Sequence, residues 1–302
     1  GMVFFIHICN LNRMDKALFK IGLMAFLFFI SCKNRKQFAI ETGDDAQTLH
    51  VLQHEWALLL QDVQKAVSET FELRGKFSSD TLVDYSIDTT ELKNNLLKLK
   101  YQSVLTAGHR RSGTLYIFTQ GGLKWKERHA QLKVELINMS LYNEISGLQI
   151  QLNGSLELTN LSGGTWFEVA YLNLQEFRYL AKSIQINWTL GNQTPKSLNA
   201  YMQLKVQKHQ TLLQGLATQD TLRNIQFWGY LPDGRFFYQY TLLTPELQFN
   251  CSRPVWKNGS NGLLRPDFDF ILNTCYESED CPQIYKIKWS RKRQQNQTTK
   301  AL

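Results

Sequence analysis

The sequence predicts an α+β protein, mainly β. Its expected core is a large antiparallel twisted sheet, an open barrel or a sandwich, with one long N-terminal amphipathic helix packed on it. Three observations carry this expectation. From Ser112 onward apolar residues recur with period two, which is the mark of strands with one buried and one wet face. Turn residues interrupt these runs at the roughly ten-residue spacing of a meander. One stretch, 46–72, instead repeats at three- and four-residue steps and contains no proline.

In that stretch Leu49, Leu52, Trp56, Leu59, Leu60, Val63, Val67 and Phe71 form an apolar stripe, with Gln53, Gln61, Gln64, Lys65 and Ser68 between them. Asp44 or Asp45 is placed to cap its start. The segment Phe77–Leu105 is ambiguous: Leu82-Val83-Asp84-Tyr85 reads as strand and Glu91–Lys100 as a short helix. Alternation is then clear in Gly113–Thr119, Gln131–Leu136, Leu148–Leu158, Ile184–Trp188 and Leu204–Val206, and less regular at Ile284–Trp289. Asn153-Gly154, Ser162-Gly163-Gly164, Gly191-Asn192, Pro232-Asp233-Gly234 and Asn258-Gly259 supply turns. The expected total is about ten to twelve strands. A glycine before an alternating strand recurs at Gly113, Gly147 and Gly154, without the fixed period of a repeat protein. The polar tail 294–302 is expected to be disordered.

With 43% hydrophobic and 20% charged residues the chain is composed to fold. Its net charge of +8 does not point to nucleic acid, because basic residues concentrate at the ends, in Lys33-Asn34-Arg35-Lys36 and in Arg291-Lys292-Arg293 with Lys300. Cys251, Cys275 and Cys281 are disulfide candidates, and an odd count leaves one thiol over. Both Cys251–Cys275 and Cys275–Cys281 are open as pairings.

Near the N-terminus Lys16 and Lys20 precede the apolar run Ile21–Ile30, which is too short to span a bilayer and has the layout of a secretion signal. Its end, Phe29-Ile30-Ser31-Cys32, resembles the lipobox of bacterial lipoproteins. The resemblance implies lipidation at Cys32 and a mature chain that begins there. Gly1–Arg13 precede the better start at Met14 and read as a mis-assigned or non-native leader. The expected organisation is therefore leader and signal over 1–31, lipid anchor and linker over 32–45, a single β-rich domain with its helix over 46–293, and the tail. A basic cluster beside a lipid anchor also suits anionic headgroups.

Four features together resemble the uncharacterised envelope lipoproteins of the Bacteroidota. They are the lipobox, the helix around Gln61-Asp62-Val63, the strand start Arg111-Ser112-Gly113-Thr114, and Asn250-Cys251-Ser252-Arg253-Pro254-Val255. The resemblance implies a β-rich secreted domain and brings no catalytic residues with it. Lys33 stands where an inner-membrane retention signal has Asp, so the lipid is expected at the outer membrane. The absence of acidic residues after Cys32 argues for a periplasm-facing position, with surface exposure open. Asp220-Thr221-Leu222 and Asp80-Thr81-Leu82 also look like the O-glycosylation acceptor of that group.

The residues themselves contain no GxSxG elbow, P-loop or dinucleotide fingerprint, so no enzyme and no cofactor are expected. His50 and His54 stand i, i+4 beside Glu55, but without the HExxH order they read as surface histidines and not as metal ligands. The acidic loop Glu277-Ser278-Glu279-Asp280 reads as solvated, and Asp267 with Asp269 as an ordinary acidic pair. The best recognition candidates are aromatic: Trp228, Tyr230, Phe237 and Tyr240, in two runs around Pro232-Asp233-Gly234. Consecutive aromatics put rings on both faces of a strand, so one set should lie outside the core. The expected function is binding of a glycan or an apolar, lipid-like ligand. Either ligand would sit between curved sheet and helix, as in the half-barrel of periplasmic lipoprotein carriers, an analogy of architecture alone. The alternative is a structural or protein-interaction role in the envelope.

Overall fold

The computed structural model describes residues 44–70, 84–265, 270–277, 279, 281–282, 284–291 and 294–301. Cys32, the basic run 33–36, Asp80-Thr81-Leu82, Asp267 and Asp269 lie outside them. Residues 46–302 form one compact unit. Among the described residues no helix is long and apolar enough to cross a membrane.

The helix α1 occupies 44–70. The strands that follow are β1 (Tyr85–Asp88), β2 (Leu96–Thr106), β3 (His109–Gln120), β4 (Gln131–Asn143), β5 (Leu148–Asn160), β6 (Glu176–Leu190) and β7 (Lys196–Gln207). Next come β8 (Gln210–Gly215), β9 (Ala217–Gln219), β10 (Leu222–Tyr230), β11 (Phe236–Leu243), β12 (Glu246–Gln248), β13 (Val255–Lys257) and β14 (Ser260–Arg265). The last three are β15 (Phe270–Tyr276), β16 (Ile284–Arg291) and β17 (Gln294–Ala301). All pairings are antiparallel. β1 to β7 form an unbroken meander, each strand on the next. β7 then splits its edge, pairing β10 at Leu198–Ala200 and β8 at Met202–Gln207. Beyond β10 the sheet continues through β11, β14, β15, β16 and β17. No ladder joins β17 to β1 among the described residues, so the sheet is unclosed.

A meander of this length curls because its strands carry bulges. Register shifts fall between Ser112 and Thr114 in β3, between Leu136 and Met139 in β4, and between Lys182 and Ile186 in β6. Gly113 and Gly154 sit in this belt at φ +114° and +137°, and a Cβ there would meet the carbonyl oxygens of Asn138 and Gln185. Gly113 and Gly154 therefore mark bends and close approaches of neighbouring backbones, whereas Gly147 sits in an open turn.

The curled sheet wraps α1. Helix side chains meet residues of β2 and β3 on one flank (Tyr101, His109, Arg111) and of β11, β14, β15 and β16 on the other (Gln239, Asn261, Tyr276, Tyr285). Trp56, Leu59, Leu60 and Val63 pack on Leu115, Val134, Leu136 and Leu156 around a residual void of about 10 Å³. The helix is thus enclosed by the sheet, and its polar side is buried too: Gln53, Glu55, Gln64 and Ser68 have no exposed surface. This corrects the expectation of a helix with one wet face.

Other local expectations also change. Glu91–Lys100 is a single 3-10 turn, Leu92–Asn94, running into β2. Residues 294–301 are not disordered but pair with β16 along their whole length. The described residues hold seventeen strands, more than the expected ten to twelve, partly because some, such as β9, β12 and β13, are only three residues long. A short helix, α2 (Trp166–Tyr171), capped by Thr165, interrupts the β5–β6 connection.

Candidate functional site

The hairpin β10–β11 carries the aromatic runs, and its pleat sorts them. Trp228 faces Tyr238 across the ladder, and Tyr230 faces Phe236. These four rings point outward. Side chains two apart on a strand stand about 7 Å from each other on the same face. The Tyr230 and Phe236 rings lie 5.1 Å apart edge to face, and Phe236 and Tyr238 5.0 Å apart. With Ser197, Asn199, Thr218 and Gln219 they line an open groove of about 370 Å³. Asn199 is held by a 3.5 Å hydrogen bond to the Trp228 carbonyl.

The predicted recognition residues therefore separate. Trp228 and Tyr230 are on the groove. Phe237 is fully buried on the inner face beside Trp188, whereas Tyr240 shares the outer face of Phe236 and Tyr238 but is covered where it lies over Gly262, so neither lines the groove. Phe236 and Tyr238 complete the groove instead. The signal for them was present in the alternation of the same run, since a buried Phe237 puts its two neighbours outside.

A second region lies beside α1. A cavity of about 540 Å³ is lined on the helix by Leu58, Gln61, Asp62 and Lys65, which share one face at their spacing. Across from them stand Asp84, Arg111 and Tyr85, and from the β7–β8 tip Lys208. Arg111 is the hub: its Nε donates to Glu55 Oε2 at 3.3 Å and its Nη1 to Asp62 Oδ2 at 3.0 Å, while Asp84 Oδ1 lies 3.8 Å away. His109 Nδ1 donates to Glu55 Oε1 at 2.5 Å, and the Tyr101 hydroxyl to Asp62 at 2.9 Å. Burial alone would raise the Glu55 carboxyl, but His109 and Arg111 together outweigh it and hold it at about 2. Asp62 behaves oppositely. Burial lifts it to about 6 against the pull of Arg111 and Lys65, and Asp84 adds to the rise. Asp84 is also raised, chiefly by burial.

His50 and His54 are not surface residues. His50 stacks on Tyr285 at 4.3 Å with its Nδ1 3.2 Å from the Tyr276 hydroxyl, and His54 stacks on His109 at 5.1 Å. Burial lowers His50 to about 3 and His54 well below its ordinary value, the latter helped by His109. Stacked rings aim their nitrogens apart, and among the described residues no cluster of three or more His, Cys, Asp or Glu can hold a metal.

Cys251 pairs with Cys281 and Cys275 is free, so neither expected pairing forms. The reason is the sheet: Cys275 sits within β15, whereas Cys251 and Cys281 both lie in connections outside the strands. Glu277 of the acidic loop is paired with Lys286 at 2.7 Å. Thr221 is exposed at the tip of the β9–β10 turn. No family model, curated protein or solved structure matches this chain.

Proposed function

We propose that this chain is a bacterial envelope lipoprotein that binds a glycan on the outward face of the β10–β11 hairpin. Cys32 carries the lipid that holds it at the outer membrane, facing the periplasm. The observation that supports glycan binding is the set of four outward rings, Trp228, Tyr230, Phe236 and Tyr238, in two cross-strand pairs. The fold already has its inward aromatics on the same strands, Phe227 and Phe237. Outward rings bordered by amide and hydroxyl groups suit sugars, whose apolar ring faces stack while their hydroxyls take hydrogen bonds.

A glycan is favoured over an apolar ligand because the groove is open and polar at its rim, whereas apolar ligands need enclosure. The space between sheet and helix beside Trp56, where either ligand was expected, is filled by side chains. The second reading is a protein-interaction role, favoured by the exposed Leu242 and Leu243 at the end of β11. No bond-breaking step is assigned.

Two experiments test the proposal. On a glycan array followed by calorimetry, wild type is expected to bind and Trp228→Ala to lose at least about tenfold in affinity, about 1.4 kcal/mol, with unchanged circular dichroism. Absence of any glycan signal, together with reproducible cross-linking to one envelope protein, would replace it with the interaction role. For the anchor, mass spectrometry should find a diacylated or triacylated Cys32, and Cys32→Ser should leave the membrane fraction. An unlipidated wild-type N-terminus overturns that part.

A further inference from the structure

We infer that the cavity beside α1 is a second binding site, for a small zwitterion such as a free amino acid or a di- or tripeptide. Its wall carries charge of both signs. Asp62 on the helix and Asp84 across from it share the single Arg111 guanidinium, which Glu55 also engages. Three buried carboxylates therefore draw on one arginine, helped by His109 at Glu55 and Lys65 near Asp62, and the two that line the cavity are the two whose carboxyls burial raises. Their demand for positive charge is only partly met from the protein, and a ligand ammonium would meet it. Positive charge enters the same space from Lys65, one turn on from Asp62 along the same helix face, and from Lys208. Lys65 sits 5.2 Å over the Trp166 ring, and Lys208 is exposed at the β7–β8 tip.

A ligand with one sign of charge would be attracted by some of these groups and repelled by the others. A zwitterion satisfies both, its ammonium toward Asp62 and Asp84 and its carboxylate toward Lys65 and Lys208. Tyr85, Trp166 and Phe249 also line the cavity and suit the apolar part of such a molecule. The volume of about 540 Å³ lies within the range of small-molecule sites. Nothing in this inference depends on the β10–β11 groove.

The test uses the whole chain with alanine, alanyl-alanine and trialanine as probes, and ethylamine and acetate as single-charge controls, read by calorimetry and thermal shift. At least one of the three zwitterions is expected to bind more tightly than either control. Lys208→Ala, an exposed change that leaves the fold intact, and Asp84→Asn are each expected to weaken that binding at least about tenfold. Trp228→Ala should leave it unchanged, which separates this site from the glycan groove. Three results overturn the inference: no zwitterion binding, equal binding of ethylamine or acetate, or binding indifferent to both Lys208→Ala and Asp84→Asn in folded variants.

Discussion

The two sides of α1 are buried alike but held by different physics. Trp56, Leu59, Leu60 and Val63 meet Leu115, Val134, Leu136 and Leu156, where attraction is non-directional and proportional to area. The other side presents His50, Gln53, His54 and Glu55 to fixed partners. Gln53 Oε1 alone accepts from Asn261 Nδ2 at 2.7 Å and Gln239 Nε2 at 3.0 Å. An apolar contact survives a small slide of the helix, whereas Gln53 and Glu55 have no second register in which their partners are met. Area holds the helix inside the sheet, and the polar side fixes where along its axis it stops.

The largest effect expected from breaking this division is Leu59→Asp. It buries an unpaired charge on the apolar side and should cost more than about 4 kcal/mol in urea unfolding, while Leu59→Met should cost less than about 1.5 kcal/mol. A fully stable Leu59→Asp would mean the apolar side is not packed as described. Next comes Glu55→Ala, which strips Arg111 and His109 of their shared carboxylate at a cost of about 3–5 kcal/mol. A loss under about 1 kcal/mol would show that the cluster does not hold the helix. Gln53→Ala, which leaves two buried amide donors without their acceptor, should cost about 1–3 kcal/mol, measured the same way.

The smallest effect is one of pH. His50 ionises at about 3 in the fold and near 6.5 when unfolded, so between those values the unfolded chain binds more protons and His50 makes stability rise with pH. His54, also lowered, acts in the same sense. Asp62, raised to about 6, binds its proton more tightly when folded and makes stability fall as pH climbs from about 4 to 6. His50→Phe, which retains a ring to stack on Tyr285, should therefore flatten the rise of stability between pH 4 and 6, and Asp62→Asn should steepen it. Urea midpoints at four or five pH values check both, and slopes that do not move would place these side chains in water.

The sequence made some of this legible. Leu148–Leu158 announces β5 because one face of each strand looks outward and stays polar, and the three- and four-residue steps of Leu49, Leu52, Trp56 and Leu59 announce α1. Enclosure of the helix was hidden, because a 3.6-residue stripe is read on the assumption that the opposite face is wet. A signal existed: between Ala46 and Gln61 the only Asp, Glu, Lys or Arg is Glu55, and the other polar positions are Gln, His or Thr. A solvated face of that length would carry more charge. Trp228 and Tyr230 were found from their own run. Arg111 and Asp84 were not singled out for chemistry, since only folding brings residues 55, 62, 84 and 111 together.

The enclosed helix also orders events in time for a chain that folds as it is made. Its core element comes first and its coverings last. Glu55 and Asp62 find partners in β3 at separations of 54 and 49 residues, while Gln53 and His50 wait for partners 208 and 226 residues downstream. Each hairpin of the meander closes locally, yet the loop between α1 and β14–β15 spans most of the domain. A chain stopped after β7 would hold its helix against the first strands with Gln53 and His50 still in water. The last strands to be made are therefore the ones that dry the core.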